Sequence, residues 1–67
     1  MRNYEQLVIN AIDALNGVYG VEISVMVDNK GWHIKCEEKP FKTCKNGKEC
    51  LTVLETIFDL YKLQRGA

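Results

Sequence analysis

Proline is almost missing from this chain, which has one in 67 residues, and glycine is sparse at five. A sequence so poor in both is neither a collagen-like repeat nor a flexible linker. Long apolar runs are missing too: nothing approaches the ~20 consecutive residues of a membrane span. The opening Met-Arg-Asn-Tyr-Glu-Gln lacks the charged-then-apolar order of a secretory leader. These absences predict a cytoplasmic chain with reduced thiols and no membrane partner. The cysteine count of three is odd and fits no closed disulfide framework. There is no excess of either charge, with nine basic and nine acidic residues. Bulk attraction to a polyanion is therefore disfavoured, while a local basic patch stays open.

What is present suits one small domain over residues 1–67. At 46% hydrophobic and 27% charged the chain can form a core, but it is too short for a second one. Asn3 to Asn16 reads as a helix, capped by Asn3 with Gln6 at the reciprocal position. Tyr4, Leu7, Val8, Ala11, Ile12 and Leu15 make its apolar stripe, Ile9 points off it, and Gly17 is the expected stop. Val21 to Glu37 reads as a β-hairpin. Val21, Ile23, Val25 and Val27 alternate with polar positions, Asp28-Asn29-Lys30-Gly31 makes the turn, and Trp32, Ile34 and Cys36 form the return apolar face. Residues 39–44 suit a short third strand anchored by Phe41, with Pro40 restricting it to an edge or a strand start. Asn46 to about Gln64 reads as a second helix with the cap Asn-x-x-Glu, its buried stripe running from Cys50 to Tyr61, and Arg65-Gly66-Ala67 as a frayed tail.

The expected fold is α+β: a two-layer α-β-β-(β)-α domain, with an antiparallel hairpin or three-stranded sheet and both helices on one face. The opposite sheet face would carry Glu22, Ser24, Met26, His33 and Lys35.

Lys39, Lys42, Lys45 and Lys48 recur at every third position with no acid between them. Residues 1–29 hold Arg2 against Glu5, Asp13, Glu22 and Asp28, so the zero net charge conceals a dipole. Lys45 and Lys48 would flank the start of the second helix, where free backbone N–H groups favour anions. The bland alternative is a solvated loop whose lysines keep an edge strand from aggregating. His33, Cys36, Cys44 and Cys50 supply the donor count of a structural zinc, but strand alternation puts His33 and Cys36 on opposite faces. Core packing explains Cys36 and Cys50 better, as possible neighbours, and Cys44 is the thiol least clearly buried. No metal or other cofactor is expected. Cys44 with His33 lacks an orienting group and an oxyanion loop, so no enzyme is expected.

The element order, the length and the lysines at the start of the last helix resemble, in outline, the double-stranded-RNA-binding domain. That resemblance implies phosphate contacts by Lys45 and Lys48. The family's Gly-Pro-x-His loop between its first two strands is replaced here by the tight turn at Asp28-Gly31. In size and layering the chain is also similar to small inhibitors encoded by phages and mobile elements.

The leading expectation is a non-enzymatic, regulatory or inhibitor-type binding module for a larger protein with an acidic surface. Its contacts would be Lys39, Lys42, Lys45, Lys48, His33, Lys35 and Met26. Surplus apolar residues on the second helix, Leu51, Leu60 and Leu63, suggest a homodimer through residues 46–64. The alternative is RNA binding through residues 39–48.

Overall fold

Each helix opens on an asparagine. The computed structural model describes the backbone of residues 3–66 and the side chains of residues 3–64. In α1 (Tyr4–Tyr19) the Asn3 Oδ1 accepts from the Gln6 backbone N–H at 3.1 Å. In α2 (Gly47–Gly66) the Asn46 Oδ1 accepts from the Glu49 backbone N–H at 2.9 Å. Each satisfies a first-turn donor that has no partner inside the helix.

α1 runs past its expected stop. Gly17 lies inside the helix, and the left-handed residue is Gly20, with φ 68° and its N–H donating to the Asn16 carbonyl. The added turn is held by tertiary packing. Tyr19 stacks on Tyr61 with ring centroids 5.6 Å apart and meets Phe58 edge-on at 5.2 Å. Those contacts outweigh the ~1 kcal/mol penalty of a mid-helix glycine. α2 likewise continues through Arg65 and Gly66, where a frayed tail was expected. Met1, Arg2 and Ala67 lie outside the described residues.

Three strands lie between the helices: β1 (Ile23–Asp28), β2 (Gly31–Cys36) and β3 (Lys39–Cys44). They form one antiparallel sheet in the order β1-β2-β3, so β1 and β3 are both edges. The first turn is drawn tight by Asp28, whose Oδ1 accepts from the Lys30 and Gly31 backbone N–H groups at 2.8 and 3.2 Å. Gly31 adopts φ 142°, which only glycine takes without strain. The second turn joins Cys36 to Lys39 through Glu37 and Glu38, at φ 54° and 68°. Two consecutive positive φ values make it a primed hairpin turn, built here without the usual asparagine or glycine.

Both helices cover one face of the sheet. The paired residues Ile23–Cys36, Val25–Ile34 and Val27–Trp32 point toward them. The core joins Val8 and Leu15 of α1 to Ile23, Ile34 and Cys44 of the sheet and to Cys50 and Leu54 of α2. Tyr4 meets Gly47 at the start of the helices and Tyr19 meets Tyr61 near their ends, so α1 and α2 run parallel. The fold is therefore a small α-β-β-β-α domain of the α+β class. No helix among the described residues is long and apolar enough to cross a membrane.

Candidate functional site

Register decides which side chains share a surface. Met26 lies opposite His33, and His33 opposite Thr43, so one transverse row crosses all three strands on the helix-free face. His33 is fixed within it at both ring nitrogens. Nδ1 lies 3.1 Å from the Thr43 Oγ1 and Nε2 lies 2.9 Å from the Asp28 Oδ1. The His33 bond first, then the Lys30 backbone N–H, holds the Asp28 carboxyl below its ordinary value of 3.8. The imidazole thus ties the first turn to the third strand, a link between residues that alternation alone does not pair.

β3 departs from regular pairing just beyond this row. Ile34 pairs with Lys42 but Lys35 pairs with Pro40, leaving Phe41 as the extra residue of a β-bulge. Cys44 takes the inward position of β3, so Phe41 shares the helix-free face with Thr43 and does not anchor the strand in the core as expected. It is 53% exposed and lines a shallow depression of about 480 Å³ together with Met26, His33, Lys35, Lys42 and Thr43. Met26 is 62% exposed. Four of the expected contact residues, Met26, His33, Lys35 and Lys42, thus meet around one feature.

The lysine run does not stay together. Lys39 and Lys42 lie on edge strand β3, whereas Lys45 and Lys48 sit at the start of α2. Among the described residues none of the four is ion-paired, because the one close pair is His33–Asp28. The parallel helices bring both N-termini and the Lys30 turn to the same end of the molecule. Glu5 and Glu49 occupy the first turns there, and Asp28 lies beside them. That end is consequently mixed in charge, and the basic field is weaker than the lysine spacing suggests.

The thiols also differ from expectation. Cys44, the last residue of β3, is buried rather than exposed, and it is Cys44, not Cys36, that meets Cys50. Cys44 pairs with Trp32 in register and so points under α2. Burial, then the Glu49 carboxylate, pushes its thiol up; burial and the adjoining Cys44 push Cys50 up to about 11. Both stay protonated at neutral pH, which makes them poor nucleophiles. His33 and Cys36 do face opposite sides of β2. On the helical side, Leu51 lines a groove of about 550 Å³ between α1 and α2 with Leu7, Ala11 and Phe58, while Leu60 and Leu63 remain exposed.

Sequence reasoning missed two members of the depression, Phe41, assigned inward, and Thr43, left unassigned, and it read Asp28, the partner of His33, only as a turn residue. The bulge has no sequence signal beyond Pro40. The chain matches no family model, no curated protein and no solved structure.

Proposed function

We propose that this domain is a non-enzymatic protein-binding module whose contact surface is the helix-free face of the sheet. The observation that carries this reading is the exposure of Met26 and Phe41 around one depression, with Lys35 on the same face and Lys42 along the β3 edge. Exposed apolar side chains gathered on one face and edged by cations suit a partner presenting an apolar knob and carboxylates. The Asp28–His33–Thr43 hydrogen bonds stiffen that face, so little side-chain entropy is lost on docking. A regulatory or inhibitory role belongs to the same reading.

The test is capture from native cell extract on the immobilised domain, with and without nuclease. A protein retained by the wild type and by Lys45→Glu/Lys48→Glu, and lost with Met26→Asp/Phe41→Asp, supports the sheet face. Equal capture by the Met26→Asp/Phe41→Asp variant removes the sheet face from the interface.

A second reading, RNA binding through residues 39–48, is favoured by the parallel helices, which place both N-termini beside Lys30, Lys45 and Lys48. It requires affinity for duplex RNA that falls steeply with salt. Glu5, Asp28 and Glu49 at the same end oppose it.

A further inference from the structure

Two reactive side chains meet inside the core. Cys44 and Cys50 are 1% and 0% exposed, and each thiol lies within hydrogen-bonding contact of the other. Local devices bring them together. Cys44 ends β3 opposite Trp32, on the helix side of the sheet, and Gly31 packs so closely on its carbonyl that a side chain at residue 31 has no room. Asn46 then caps α2, and the Cys50 N–H donates to the Asn46 carbonyl at 3.1 Å. Cys50 thus stands in the first turn of α2, over the strand end that leads into it.

The third thiol is out of reach. Cys36 pairs with Lys39 at the other end of β2, four residues from the Trp32 that Cys44 faces. That length of strand spans roughly 13 Å, whereas a disulfide needs Cα atoms within about 7 Å. A bond between Cys44 and Cys50 joins sulfurs that already touch and closes a short ring over residues 44–50.

We propose that Cys44 and Cys50 are a reversible disulfide site, oxidised by a small-molecule disulfide of the glutathione type, which clamps the end of β3 to the first turn of α2. Both thiols are covered in the closed fold, so exchange begins when that end of the edge strand opens. The Cys44 thiol gives up its proton and its sulfur attacks one sulfur of glutathione disulfide. That S–S bond breaks and one glutathione thiolate leaves. The Cys50 thiolate then attacks the Cys44 sulfur of the mixed disulfide and releases the second glutathione. The two cysteine protons end on the two glutathiones, and two electrons pass from the cysteine sulfurs to glutathione disulfide. Packing drives the second step. A glutathionyl group does not fit at a position only 1% exposed, whereas a disulfide needs less room than two thiols in contact. The clamp holds the strand that carries Phe41 and Thr43, yet it does not depend on what the helix-free face binds.

The test brings the wild-type chain to equilibrium in graded mixtures of oxidised and reduced glutathione, folded and in urea, starting from both the reduced and the oxidised chain. Acid quenching and blocking with N-ethylmaleimide precede digestion. Trypsin cuts after Lys42, Lys45 and Lys48, so the expected bridge joins residues 43–45 to residues 49–62. Mass spectrometry reads it as the sum of the two peptides less two hydrogens. The folded chain should form this bridge in a glutathione buffer about tenfold less oxidising than the unfolded chain requires. Folding and oxidation are linked in one cycle, so the bridged chain should have an unfolding constant lower by the same factor, read from urea curves followed by circular dichroism. A bridge that forms no more readily in the folded chain than in urea overturns the proposal. So does glutathione that stays on Cys44 or Cys50, a preferred bridge to the Cys36 peptide, or a bridged chain less stable than the reduced one.

Discussion

Tyr4 and Gly47 touch where the two helices begin. A methyl group added at residue 47 would lie 2.6 Å from the Tyr4 Cβ and 3.0 Å from the Trp32 ring. Neither neighbour can yield easily, since one is anchored to its own backbone and the other is wedged over β2. The close approach brings α1 beside α2 and sets both helices parallel.

Gly47→Ala is accordingly expected to destabilise the domain by about 2 kcal/mol, the usual cost of overpacking. Urea denaturation followed by far-UV circular dichroism measures it. A change within error would mean that α1 can slide away from α2 at no cost.

The turn at Glu37-Glu38 stores strain, because both residues sit in the left-handed region. Glu38→Gly should stabilise the fold by about 1 kcal/mol, the order of the left-handed penalty for a residue with a Cβ. Glu37 is less suitable for replacement, because its carboxylate accepts from the Glu22 N–H at 3.4 Å. Thermal and urea midpoints of the two single glycine variants should therefore separate, with Glu38→Gly the more stable.

Acid should unfold this domain partly through Asp28. Its carboxyl titrates below the ordinary value of 3.8 in the folded chain, mainly because His33 bonds to it. The folded state then binds fewer protons than the unfolded one. The contribution is complete above about 3.8 and disappears as pH falls through the lower folded value. Asp28→Asn should flatten the fall in stability below pH 4 relative to the wild type, as read from urea midpoints across an acid series. An unchanged slope would show that other carboxylates set the acid limit.

Native alkylation should discriminate among the thiols. Cys36 is partly exposed, while Cys44 and Cys50 are buried and protonated. Iodoacetamide at neutral pH should label Cys36 first and reach the other two only on unfolding, which peptide mass spectrometry resolves. Early labelling of Cys44 would contradict its burial beneath α2.

Much of the fold was legible along the chain. Period-two alternation from Val21 to Cys36 marked the hairpin, and the caps at Asn3 and Asn46 marked both helix starts. These signals are local, since each depends on residues within one turn or one strand. The end of α1 was not legible, because Gly17 is an equally good local stop and only the rings of Phe58 and Tyr61, some forty residues away in sequence, keep Val18 and Tyr19 helical. The site was half legible. Met26, His33 and Lys35 followed from alternation, but the inward position of β3 is Cys44, not Phe41, and alternation from it puts Phe41 with Thr43 on the helix-free face.

Periodicity and turn and cap chemistry along the chain set the order of elements, the apolar face of each and the lysine spacing. Tertiary structure alone decided that Lys39 and Lys42 part from Lys45 and Lys48, that Cys44 lies under α2 against Cys50, and that Asp28, His33 and Thr43 form one chain of hydrogen bonds. Each of these rests on strand register and on the parallel seating of two helices. Both are properties of contacts between segments, where a shift of one residue reverses the face a side chain occupies.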